Sequence, residues 1–330
     1  MKNKIYIFFI TIISMIFCGC KQNIKIHSKS YYAINSLSYT DVIFKSSRDT
    51  VLASTFSGRI VERIKGHNKE NILININDEI YSLVYDQKKH RIYASTLNSG
   101  ILVIDANKKM VIDSLNIEGT WISNIFLSKD GELLAGSTAN QKNCIWDLNN
   151  NTSFKLPDSL SHYSIAGIDN SGNIIINAKE KFIFWNVWEN STEKENIRNG
   201  KLKSIDKSGN MLVFHDKNFQ YYKANKDSVS FKRHHQDWPY YWKEKDTLIR
   251  IPFQLTLTAG ILTEKYIYTA GVDRSIRKWN KQNGQLNEEI IKHRATISAI
   301  DLSFDQSQIV SVDLKGGILF HDVNKKSKDE

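Results

Sequence analysis

Seven times along this 330-residue chain a short apolar run meets a turn, and a second run then closes on a bulky residue that an acid or amide often follows. The clearest copies are Ile267-Tyr268-Thr269-Ala270-Gly271-Val272-Asp273-Arg274-Ser275-Ile276-Arg277-Lys278-Trp279-Asn280 and Leu134-Ala135-Gly136-Ser137 running on to Cys144-Ile145-Trp146-Asp147. Weaker copies close on Arg63, Ile104, Trp185, Tyr222 and His321. Successive closing residues lie 41, 42, 39, 37, 57 and 42 positions apart. A period of about forty residues marks an array of similar supersecondary units, none of which buries its apolar surface alone. Alternation of β-branched and aromatic residues between turn signals gives each unit about four strands.

A short sheet of this kind has two apolar faces and stacks against its neighbours, and a ring of such sheets leaves only short, protected edges. The expected fold is therefore all-β, a seven-bladed β-propeller over residues 40–323, followed by a polar tail at 324–330. The Ala135-Gly136-Ser137 and Trp146-Asp147 of the third repeat, Gly271 to Asn280 of the sixth and Lys292-His293 to Asp322 of the seventh resemble the WD40 family. In that family a blade carries a buried network: a His before the first strand, a Ser or Thr in the second, an Asp in the next turn and a Trp in the third. The resemblance implies Thr269, Asp273 and Trp279 in the sixth blade, without an upstream His. It implies His293 and Ser311 in the seventh, with His321 where Trp belongs, and Trp146 and Trp185 as third-strand residues of two further blades. Gly66-His67 looks like another remnant, and no blade is expected to keep all four groups. Similarity to the family further implies that the last blade takes a strand from the N-terminus, within residues 20–39, since only a charged tail follows Val323.

Residues 1–19 are a signal of another kind. Lys2 and Lys4 precede an apolar run from Ile5 to Phe17 that only Thr11 and Ser14 interrupt. Thirteen residues rise about 20 Å as a helix, short of the roughly 30 Å hydrocarbon core, so the expectation is a removed export signal and not a membrane span. Phe17-Cys18-Gly19-Cys20 resembles the lipobox of bacterial lipoproteins, which implies Cys20 as the lipid anchor. Lys21 is not the Asp of an inner-membrane retention signal, and no acidic run follows Cys20. The expected location is the cell envelope, as an outer-membrane lipoprotein facing the periplasm.

With 41% hydrophobic residues the remaining body can bury a large core as one domain. Cys144 is the only cysteine beyond Cys20, which leaves no intramolecular disulfide if Cys20 is acylated, and it reads as a small hydrophobe of an inner strand. The net charge of +10 invites a nucleic-acid reading. Lys2 and Lys4 leave with the signal, however, and Lys21, Lys25, Lys29, Lys325, Lys326 and Lys328 crowd the ends. No basic stripe interleaved with aromatics stands out, so no nucleic-acid partner is expected.

The long interval between the fifth and sixth repeats contains an insertion over 234–252 that opens His234-His235-Gln236-Asp237-Trp238-Pro239-Tyr240-Tyr241-Trp242. Pro239 rules out a regular central strand, and insertions in repeat arrays map to loops on one face. Trp238, Tyr240, Tyr241 and Trp242 are candidate partner-binding residues, because aromatics bury large area with few rotatable bonds. The alternative is that the loop caps its own blade. His234 and His235 are adjacent and point opposite ways on an extended chain, so no metal site is expected. Strong catalytic signatures such as His-Glu-x-x-His or Gly-x-Ser-x-Gly are missing, and His27, His90, His162, His215 and Asp216 read as surface or turn residues. The favoured function is a lipid-anchored, monomeric scaffold without cofactor that binds an envelope protein or peptide. An exported lactonase, lyase or sugar-processing enzyme with its site over the central channel is the competing class, and it requires convergent acids, bases or a metal there.

Overall fold

The computed structural model describes residues 38–324 apart from 46–47, 68, 118–120, 198–199, 225 and 227. The leader, Cys20 and the tail from 325 lie outside the described residues, as does the expected closing strand except for Ser38 and Tyr39.

Six four-stranded antiparallel sheets and one three-stranded sheet follow one another, each a simple meander. Their first strands are Tyr39–Phe44, Ile80–Asp86, Ile122–Leu127, Ser164–Ile168, Lys201–Ile205, Leu257–Leu262 and Ile297–Leu302. Each packs against the next, and the last packs against the first, which closes a seven-bladed propeller. Among the described residues the one helical element is a 3-10 turn at Lys243–Lys245. All seven repeat endpoints fall on third strands, from Arg63 in Arg59–Ile64 to His321 in Ile318–Asp322.

The second strands show why the ring must close. Leu52 and Ala53, Ile92 to Ala94, Ile174 to Ile176, and Met211 to Val213 are at most 1% exposed, so these strands are covered on both faces. The cover comes from the neighbours. Leu52 and Ile60 of blade 1 pack with Ile80, Leu83 and Ile92 of blade 2, while Val42 and Val51 pack with Val310 and Val312 of blade 7.

Hydrogen bonds cross every junction. Most first strands carry a β-bulge, which leaves Thr40, Tyr81, Ala166, Lys203, Thr258 and Ser298 without a cross-strand partner. A bulge re-aims its side chain. Lys203 Nζ donates to Thr258 O (2.9 Å), Thr258 Oγ1 to Ile297 O (2.5 Å) and Ser298 Oγ to Tyr39 O (2.7 Å), each reaching the next blade. Backbone amides reach the other way. Leu83 N–H donates to Asp41 (2.8 Å), Ile125 N–H to Ser82 Oγ (3.4 Å), Ile165 N–H to Ser137 Oγ (2.7 Å) and Phe44 N–H to Asp301 (2.7 Å). Asn177 Nδ2 donates to Gly200 O (3.1 Å) and ties blade 4 to blade 5. Burial pushes the Asp41 carboxyl up to about 6 and that of Asp301 up to about 7.

Blade 7 has three strands among the described residues. Ser38 Oγ donates to Leu314 O (2.7 Å), so the chain enters blade 1 beside a turn of blade 7, and Tyr39 already belongs to the first strand of blade 1. Cys144 departs from expectation: it lies on a third strand, half-buried, because Ile145 takes the inward position at 1% exposure.

A Cβ on Gly260, in the first strand of blade 6, would stand 2.7 Å from Phe214 Cζ and 2.9 Å from Leu212 Cδ2 of blade 5. Gly260→Ala is expected to cost about 1–3 kcal/mol through this overpacking. Thermal unfolding checks it, and an unchanged midpoint would mean that the two blades are not so tightly apposed.

Candidate functional site

Blade 6 holds a complete buried network. Trp279 Nε1–H donates to Thr269 Oγ1 (2.8 Å), Thr269 Oγ1–H donates to His235 Nε2 (2.8 Å), and His235 Nδ1–H donates to Asp273 (2.6 Å). Burial pushes the His235 imidazole down and keeps it neutral despite Asp273. Burial alone would raise Asp273, but the bonds from His235 and Ser275 hold it below the usual carboxylate range. The expectation that this blade lacks its His is therefore corrected. His235 lies 38 residues before Asp273, whereas His293 lies 20 before Asp313, because the insertion follows the histidine and separates it from its blade.

Blade 7 repeats the order of donors with a substitute. His293 bonds Asp313 (2.9 Å) and Ser311 Oγ (2.7 Å), and His321 Nε2 reaches Ser311 Oγ at 3.1 Å, where Trp279 stands in blade 6. Gly66-His67 is no remnant of such a network. It sits exposed in the turn between third and fourth strands, not before a first strand. The strand register explains why the other blades have none. The hydroxyl must lie two residues beyond the partner of the third-strand residue, and Trp146 pairs with Leu134 and Trp185 with Ile174, which puts Gly136 and Ile176 there. Trp146 packs half-buried in an apolar cluster, and the buried Trp185 donates to Asn190 instead (3.2 Å).

The insertion is an antiparallel hairpin, Trp238–Trp242 against Thr247–Ile251, rooted immediately after His235. Pro239 is accommodated because each strand has a neighbour on one side only. Asp237 at the root accepts from Arg277 (2.6 Å) and Arg250 (3.1 Å), while Glu289 accepts from the same two arginines (2.8 and 2.6 Å). Arg277 is 2% exposed and cross-strand from Glu289, so the hairpin is fastened to the body of blade 6. Trp238 is half-buried, with the Arg274 guanidinium 5.9 Å from its ring and Tyr240 at 5.6 Å. Trp242 is also half-buried and lies under Lys245 at 4.3 Å. Tyr240 and Tyr241 remain exposed at 39% and 49%, joined by Leu248 at 41% and Phe253 at 55%. Leu248 and Phe253 carry no signal in the sequence pattern. Among the described residues no three or more His, Cys, Asp or Glu side chains converge as for a metal, and His90, His162, His215 and Asp216 are exposed.

Burial pushes the His321 imidazole down to about 4, with the neighbouring His293 and Lys292 acting in the same direction. The folded form thus holds it neutral while the unfolded chain protonates near 6.5. The stabilisation is complete above pH 6.5 and is lost as pH falls through about 4. His321→Trp supplies the same N–H donor without the titration, so its melting temperature should fall less between pH 7 and 4.5 than that of the native chain. Parallel acid profiles would show that His321 does not sense the loss.

No protein-family model and no curated protein matches the sequence. Among solved structures, the WD40 β-propeller domain of Doa1 matches with a TM-score of 0.66 at 13% identity, over 87% of this chain and 94% of that one. Closed ring, meandering blades and this likeness lead to one conclusion about the fold: the chain is a seven-bladed β-propeller, similar in fold to that WD40 domain.

Proposed function

We propose that this chain is a binding scaffold, not an enzyme, which captures a protein or peptide of the cell envelope through the blade-6 hairpin while Cys20 tethers it to the outer membrane from the periplasmic side. The observation that carries the binding half is the pairing of exposure with rigidity. Tyr240 on one face of the hairpin, and Tyr241 with Leu248 on the other, offer apolar surface to solvent on an element that four charged side chains hold in place. A pre-ordered aromatic surface loses little conformational freedom on association, which is the usual basis of a hot spot. The tether rests on the sequence of residues 2–20, with its basic start, apolar run and Gly19-Cys20. Acyl chains contribute about 0.8 kcal/mol for each buried methylene, enough for two or more to hold a propeller at a bilayer.

The double variant Tyr240→Ala/Tyr241→Ala should melt like the native chain and lose at least about tenfold in capture of its partner, as expected for a lost hot spot. Crosslinking in intact cells and pull-down from envelope extracts read this out. Undiminished capture removes the hairpin from the interface. For the anchor, Cys20→Ala should abolish incorporation of labelled fatty acid and move the protein from the membrane to the soluble fraction. Persistent labelling would place the acylation elsewhere.

A further inference from the structure

At the foot of the hairpin a cavity of about 560 Å³ opens between blades 5 and 6, lined by Gly200, Lys201, Lys203, Phe214, Thr256 and Leu257 among others. Thr256 belongs to the segment that leads from the hairpin into the first strand of blade 6, and Lys217 caps the Phe253 ring of that segment at 5.2 Å. Thr256 and Asp216, the neighbour of Lys217, both line the cavity, so the segment that leaves the hairpin borders it. Lys201 and Lys203 stand on one first strand and keep part of their side chains in solvent, while the Lys203 ammonium itself is packed against Thr258 and Phe214. At the equivalent bulge five other blades have Thr40, Tyr81, Ala166, Thr258 and Ser298, so Lys203 is the charged member of this set. Its ammonium donates to Thr258 O at 2.9 Å and lies 5.5 Å from the Phe214 ring centroid, which leaves further N–H donors toward the cavity. Burial, and then the charge of Lys201, push this ammonium down to about 8, and no acid acts to raise it. Asp216 and His215 also line the cavity and are exposed.

We propose that this cavity is a carboxylate subsite, which takes an acidic side chain or the C-terminal carboxylate of a peptide whose apolar part lies on the hairpin. The inference rests on the partner-binding reading above. Two ammonium groups lining one cavity repel each other until an anion enters, and Phe214 and Leu257 supply apolar wall for the rest of the bound residue. Lys203 is already fixed by Thr258, so it surrenders little freedom on binding.

The full chain is tested against immobilised hexapeptide libraries in three forms: one internal Glu with an amidated end, no acid with a free C-terminal carboxylate, and no acid with an amidated end. The native protein should retain one or both carboxylate forms about tenfold better than the neutral form, a difference of about 1.4 kcal/mol. Whichever form is retained names the source of the carboxylate. Lys203→Gln keeps an N–H donor for Thr258 O, and Lys201→Gln leaves that junction bond in place. Both should fold as the native chain and lose the preference. A preference that survives both variants overturns the subsite. Equal retention of all three forms, lost in Tyr240→Ala/Tyr241→Ala, overturns the subsite and leaves the hairpin reading standing. Retention of none also overturns it, and envelope capture then decides the hairpin separately.

Discussion

A sheet that is apolar on both faces cannot be left half covered, and that constraint governs this molecule. Ile92 to Ala94 in blade 2, or Ile174 to Ile176 in blade 4, have no solvent-facing side to offer. Each blade therefore needs two neighbours, and only a closed ring gives every blade both. Burying one such side chain contributes about 1.5–3 kcal/mol, whereas a hydrogen bond at a junction contributes about 0.5–1.5 kcal/mol net. The apolar faces accordingly supply the stability. The bonds from Lys203, Thr258 and Ser298 to the next backbone fix how far each blade slides along its neighbour.

With packing secured by the faces, the buried polar network becomes dispensable, and the blades use that freedom. Ala53, Ala94, Gly136, Ile176 and Val213 occupy the position that Thr269 and Ser311 hold in blades 6 and 7, as the strand registers place them. An apolar residue there leaves no polar atom to satisfy, so its blade needs neither the His nor the Trp N–H. Retention of the network in blade 6 coincides with the one insertion that would otherwise pull the blade's entrance open. His235 is bonded on both ring nitrogens and 1% exposed, and it pins the chain before the hairpin departs.

The period was legible because third strands end on large side chains at nearly constant spacing, from Arg63 to His321. What misled was proximity in sequence. Gly66-His67 has the right residue pair in the wrong turn, and His235 has the right role behind a detour that ends only at Leu257. The bulges were not legible at all. A one-residue slip in register leaves the alternation of Leu202, Lys203 and Ser204 looking like any exposed strand, and Lys203 like any surface lysine. The division of the aromatic cluster was hidden for a similar reason. Trp238 and Tyr240 alternate on one face of the hairpin, yet only the end nearer blade 6 meets Arg274.

Arg277 bears on why the hairpin stands where it does. Taking a guanidinium out of water is costly, and a buried ion pair often adds nothing net to stability relative to apolar residues of the same size. Stability is thus a poor reason for Arg277 to be buried between Asp237 and Glu289. Direction is a better one. Apolar contacts alone would let a two-stranded hairpin roll, since such an element is marginally stable by itself. Paired guanidinium and carboxylate groups accept few orientations, and Arg250 repeats the constraint from the second strand of the hairpin. With both strands fastened, the exposed face of Tyr241 and Leu248 is set by the body of blade 6 and not by the flexibility of a loop. A surface meant only to cover its own blade would have no need of that definition.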